Sequence, residues 1–135
     1  MKKQKILSKL TALATVVSVI GAMSASTFAA SSDSFCVNYN PHVPSMYSNQ
    51  TDTATVSYYS DGYKAYCSSY SGVNGSQVTV TSSSAGGMNK TIIITSTGYT
   101  PVWKMRISTS GNVTFTLTAR TDYSVYASGT ISINS

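Results

Sequence analysis

The chain has 135 residues, 10% of them charged and 10% aromatic, with nine Lys and Arg against four acidic residues for a formal net charge of +5. That length suits one domain, and the abundance of Tyr, Val, Ile and Thr excludes an intrinsically disordered chain, which is poor in aromatic and β-branched residues. The positive charge does not imply a nucleic-acid partner: Lys2, Lys3, Lys5 and Lys9 supply four of the nine cations, and all four stand in the first stretch, whereas a nucleic-acid footprint has to persist in the mature chain.

Residues 1–29 read as a cleaved signal peptide. A basic "MKKQKILSKL" leads into the apolar "LTALATVVSVIGAM", and small residues in "SASTFAA" place the cut after Ala29. The apolar run is too short and too interrupted by Ser and Thr to span a membrane. Residues 30–135 then form the mature domain, in which five cations face four aspartates, a net of +1. No lipidation box precedes Cys36 and no sorting motif closes the chain, so the expected location is secreted and extracellular, with bacterial export chemistry. In an oxidising space Cys36 and Cys67 are expected to form a disulfide, worth about 3–4 kcal/mol for a loop of this length.

Strand patterns follow one another along the mature part. "SFCVNYN" (34–40) is a first strand, and the loop after it is set by Pro41 and Pro44, which cannot join a ladder. "TATVSYYS" and "YKAYCSSY" flank Asp61-Gly62, a strong short-range hairpin signal. "SQVTVTSS" alternates clearly, "SAGGMN" is a turn, and "KTIIITS" is a short strand. "VWKMRIS" (102–108) and "NVTFTLTAR" (112–120) read as a further hairpin, and "DYSVYASGTISIN" closes the chain with a bulge or bend at Gly129. The expected core is Val56, Tyr58, Val78, Val80, Ile92, Ile94, Trp103, Met105, Ile107, Val113, Phe115, Leu117, Val125, Ile131 and Ile133. With a period of two almost throughout, the expected fold is a single all-β antiparallel β-sandwich of about seven to eight strands, immunoglobulin-like in general architecture. "FTLTARTDYSVYASG" faintly echoes immunoglobulin strands E and F, but no cysteine follows that tyrosine and Trp103 lies after both cysteines, so no family is assigned.

The catalytic inventory is thin. Paired-carboxylate hydrolysis needs two acids held close together, and the four aspartates stand in separate contexts where turn aspartates usually serve backbone amides. Zinc needs three or four ligands, and there is one histidine, His42 in "NPHVP". A Ser-His-Asp triad would depend on that same residue. No catalytic residue, metal site or cofactor is therefore assigned. The sequons at Asn49, Asn74, Asn89 and Asn112 read as turn residues.

Two surfaces attract attention. "SYYSDGYKAYCSSYSG" (57–72) holds five tyrosines. A two-residue Asp61-Gly62 turn would place Tyr58 and Tyr63 with Cys67 on the core side, and Tyr59, Tyr66 and Tyr70 with Lys64 on a solvent face able to bind. A three-residue Ser60-Asp61-Gly62 loop would slip the register by one and mix polar with apolar residues on both faces. The second surface is a basic patch of Lys104, Arg106 and Arg120, suited to anionic polymer or to protecting a sheet edge. The functional expectation is a non-enzymatic extracellular interaction or structural protein, contacting another protein, a cell surface or copies of itself. The alternative is a carbohydrate-binding module-like domain using the tyrosine face, and a small secreted toxin or hydrolase centred on His42 is a further alternative.

Overall fold

A computed structural model describes residues 30–82, 86–106 and 111–135. The expected signal segment 1–29 and the expected core residue Ile107 lie outside the described residues. Eight strands run β1 (Ser32–Tyr39), β2 (Thr51–Ser57), β3 (Tyr63–Gly72), β4 (Val78–Ser82), β5 (Ile92–Ile94), β6 (Gly98–Tyr99), β7 (Asn112–Ala119) and β8 (Val125–Ile133), with one 3-10 turn at Ser45–Tyr47. They form two antiparallel four-stranded sheets of order β1-β8-β3-β6 and β2-β7-β4-β5.

Of the consecutive strands, only β4 and β5 are ladder neighbours; every other connection crosses from one sheet to the other. This is the strand order of a jelly roll, in which two Greek keys fold over each other. An immunoglobulin-like connectivity would set pairs such as F and G side by side in one sheet, and that is not the connectivity formed. Both designs bury one face of each strand, so alternation in the chain is the same for either.

The Asp61-Gly62 hairpin is the clearest casualty. β2 pairs with β7, whereas β3 pairs with β8 and β6. Residues 58–62 therefore carry the chain across the sandwich as an arch, and neither expected register exists. A type I′ hairpin turn needs positive φ at both central residues; here Gly62 has φ +102° and no described non-glycine residue is positive. The arch is instead closed by Gly62 N–H to the Tyr59 carbonyl at 3.2 Å, and Asn134 N–H donates to the Gly62 carbonyl at 2.8 Å. Gly62 has a second constraint: a Cβ there would lie 2.4 Å from the Trp103 carbonyl oxygen. The 102–120 hairpin is absent too. Trp103 and Met105 make isolated bridges to Tyr63 and Met88, while β7 pairs with β2 and β4.

The expected core is otherwise present and larger than expected. Val56, Val78, Val80, Ile92, Ile94, Trp103, Val113, Phe115, Leu117, Val125 and Ile131 are buried, and Tyr58, Met105 and Ile133 pack on the core partly buried. Phe35, Val37, Ala54, Tyr63, Ala65, Cys67, Met88, Ala119 and Ala127 join them. At its centre the Phe115 ring meets Tyr63 at 5.0 Å and Trp103 at 5.7 Å in edge-on geometry, the arrangement favoured by the aromatic quadrupole.

Edge strands β1 and β2 lie alongside each other and are stitched mostly by side chains. Asp52 accepts from Cys36 N–H at 2.7 Å and Thr53 N–H at 2.9 Å. Asp33 does the reciprocal, accepting from Thr55 N–H at 2.8 Å and Ser34 N–H at 2.9 Å. Backbone bonds complete the seam at Asn38–Asn49 and at Ser57–Ala30. Carboxylates that take up edge donors cover backbone that would otherwise offer itself to another chain.

The expected Cys36–Cys67 disulfide is not formed; both thiols are free. The register gives the reason. Cys36 pairs with Ser128 and Cys67 with Gly129, so the two flank opposite sides of β8, about 9–10 Å apart at the usual strand spacing. Cys36 is exposed and Cys67 buried, so their side chains point to opposite faces of the sheet. A bridge needs Cα atoms within about 7 Å and converging Cβ vectors. The folded protein is expected to show one thiol reacting rapidly with Ellman's reagent, and both after denaturation. Two fast native thiols, or none, would contradict this placement.

Burial also sets an alkaline limit. The Cys67 thiol is pushed above its ordinary 9.0 by desolvation, partly offset by hydrogen bonding to the Ser69 and Ser128 backbone. The Tyr63 phenol is pushed above its ordinary 10.0, again chiefly by desolvation. The folded chain thus keeps these protons to higher pH than the unfolded chain. Their contribution is fully present below the unfolded values and is lost as pH rises through the folded ones. Urea midpoints are expected to fall as pH rises through and above the ordinary values of 9.0 and 10.0, with the lower part of that fall reduced in Cys67→Ala. A flat profile in the wild type would refute it.

Candidate contact face

Alternation on β3 brings Lys64 and Tyr66 to the outer face of the β1-β8-β3-β6 sheet, as Tyr63, Ala65 and Cys67 turn inward. Tyr66 lies opposite Thr130 of β8 on one side and Tyr99 of β6 on the other. The Tyr66 and Tyr99 rings sit 4.7 Å apart, tilted by 43°, and Lys64 Nζ lies 5.6 Å over the Tyr99 ring. Tyr126, outward on β8 between buried Val125 and Ala127, completes the aromatic set. Relative exposures are 42% for Tyr66, 70% for Tyr99 and 36% for Tyr126, enough ring surface for each to meet a partner.

Two of the expected tyrosines are elsewhere. The β3–β8 register shifts between Cys67 and Ser69, leaving Ser68 as the extra residue of a bulge. By simple alternation Tyr70 shares a face with Tyr66; after the bulge it lies opposite buried Ala127 and packs partly on the core. Its hydroxyl meets Ser76 Oγ at 2.8 Å and the Ser76 carbonyl at 3.0 Å. Re-aiming a side chain is a common effect of a bulge. Tyr59 belongs to the arch, partly buried, with its N–H donated to Tyr63 Oη at 2.9 Å. Lys64 and Tyr66 therefore remain on the face, Tyr59 and Tyr70 leave it, and Tyr99 and Tyr126 join. Tyr126 is recoverable from the alternation of "SVYASG"; Tyr99 sits in a two-residue strand with no periodic signal.

Between the Tyr66 and Tyr126 side chains runs a shallow groove of about 430 Å³. Ser34, Cys36, Ser68, Ser128 and Thr130 line its floor, and Asp52 reaches one margin. The Ser68 hydroxyl is held toward β8 by donating to the Ser128 carbonyl at 3.1 Å.

The basic patch does not assemble. Arg120 N–H bonds the Gln77 carbonyl, before β4, and its guanidinium lies 5.0 Å over the Tyr123 ring. Arg106 is tied beyond the other end of β4, where its Nε donates to the Met88 carbonyl and it shares a small groove with Lys90, Val80 and Ser82. Lys104 stays nearby through its N–H to Asn89 Oδ1. His42 is exposed in its loop, its backbone N–H donated to Asn40 Oδ1. Among the described residues, no group of three or more His, Cys, Asp and Glu converges as a metal site would require.

Comparison with protein-family models, with curated proteins and with solved structures gives no match. The functional reading therefore rests on the site itself, since an architecture shared by many activities does not define one.

Proposed function

We propose that the protein is a small exported, non-catalytic module that makes extracellular contact through the outer face of the β1-β8-β3-β6 sheet. One observation carries the reading: Tyr66, Tyr99 and Tyr126, from three distant parts of the chain, share one sheet face, with Lys64 over the Tyr99 ring. Tyrosine offers a large contact area with few rotatable bonds and a hydroxyl that can still hydrogen-bond, which is why it dominates many recognition surfaces. The signal-like segment 1–29 supports work outside the cell.

The test is retention of fluorescently labelled protein on cells of the producing organism. The Tyr66→Ala/Tyr99→Ala double variant is expected to lose about tenfold in apparent affinity, the scale of losing two aromatic contacts. Tyr47→Ala, which removes a 73% exposed tyrosine from the 3-10 turn Ser45–Tyr47 and not from the sheet face, is expected to bind like the wild type. Equal binding by all three proteins would refute the assignment of the face.

A further inference from the structure

Resting on that reading, we infer that the groove between Tyr66 and Tyr126 holds a strand of neutral polysaccharide. Charge selects the class. The groove is lined by four hydroxyl side chains, the Cys36 thiol, Phe35, Gly129 and the two tyrosines, and its one formal charge is Asp52, whose oxygens accept two backbone N–H groups; Lys64 stands outside the lining, drawn to the Tyr99 ring. An anionic partner would have to give up hydration beside Asp52 with no cation in the lining, and a cationic one would find both Asp52 oxygens already accepting backbone N–H groups. A neutral sugar leaves no charge unpaired, and its hydroxyls exchange water for Ser34, Ser68, Ser128 and Thr130.

Shape selects the polymer. Tyr66 lies opposite Thr130, and Tyr126 is four residues along β8 from Thr130, a span of about 13 Å at the rise of a strand. The two rings thus mark the ends of an open channel that accommodates several linked pyranose rings. Each ring can take the apolar CH face of one sugar while the intervening units lie over the hydroxyl floor. Tyr99 extends the platform past the sheet edge next to Tyr66. An open, shallow groove leaves the rest of a long chain free to continue on both sides. Protein partners, by contrast, concentrate affinity in desolvated central pockets, and this channel is shallow and open.

Native affinity electrophoresis in gels cast with a soluble β-1,4-glucan, a xylan or a mannan tests the inference. At least one polymer is expected to retard the wild type, with retardation unchanged by added salt. Tyr66→Ala and Tyr126→Ala should each weaken it about threefold, the scale of one lost aromatic contact, and Tyr47→Ala should leave it unchanged. No retardation by any of the three polymers overturns the inference, as does equal retardation of the wild type and both groove variants. Urea midpoints of the variants, expected to match the wild type, separate loss of binding from loss of fold. If cells still bind the wild type but not the face variants, and these polymers neither retard the protein nor compete, the contact face stands and the sugar assignment falls.

Discussion

Gly129→Ala is expected to lower the stability of the fold by about 3 kcal/mol or more, on the scale of severe overpacking, read as a large fall in the urea midpoint. A Cβ at this position would lie 1.9 Å from the Tyr66 carbonyl oxygen and 3.0 Å from Cys67 Cα. Both are backbone atoms of the neighbouring strand, so no side-chain rotation relieves the contact; the β3–β8 ladder has to part. Gly129 pairs with Cys67 immediately before the register shifts at Ser68. The close approach of the two backbones and the bulge are therefore one feature, and glycine is the residue that permits it. Ser128→Ala, one residue away on the exposed side, serves as the comparison and should shift stability by about 0.5 kcal/mol or less. Because Tyr66 contributes the clashing carbonyl, the glycine variant should also lose the aromatic face. A Gly129→Ala midpoint equal to that of the wild type would show that the two strands do not approach as described.

Tyr63→Ala is expected to cost about 4 kcal/mol, in the range of other large aromatic truncations, and Tyr63→Phe about 1–2 kcal/mol, the cost of leaving a donor without its acceptor. The two variants separate the two tasks of one side chain. Its ring is fully buried, 5.0 Å from Phe115 and 6.4 Å from Trp103. Its hydroxyl accepts Tyr59 N–H at 2.9 Å and reaches the Ser57 carbonyl at 3.5 Å. The ring thus fills the core, and the hydroxyl ties down the arch that carries the chain from β2 to β3. A hydroxyl reaching back to backbone a few residues upstream is the device of the tyrosine corner in β-sandwiches. Phenylalanine keeps the ring but releases the arch. Guanidinium denaturation of both variants checks the split, and a Tyr63→Phe variant as stable as the wild type would show that the arch does not depend on the hydroxyl.

Much of this fold was legible in the chain. Seven of the eight strands coincide with stretches that read as strands in the chain, and the inward residues of β2, β4, β7 and β8 are those that the alternation marks. Alternation is a local property: a residue and its second neighbour share a face whatever lies across from them. The same locality explains each error. Ala54 and Val56 on β2, and Ala65 and Cys67 on β3, are equally well buried as neighbours in one sheet or as opposing faces of two, so "YYSDGY" could not distinguish a hairpin from an arch. The expected disulfide followed from cysteine count and compartment, and neither carries information about facing. Cys36 and Cys67 are held apart by β8, which is built from residues more than fifty positions farther along.

The contact face shows the division most sharply. That β3 presents Tyr66 outward and Tyr63 inward follows from the chain alone, because a strand has two faces and the buried set is apolar. That Tyr70 leaves the face depends on Ser68 bulging opposite Gly129, where two backbones close on each other. That Tyr99 and Tyr126 join Tyr66 depends on which strands lie beside β3. Local alternation determined the composition of each face; long-range pairing, governed by how two half-buried sheets cover one another, decided which faces became neighbours.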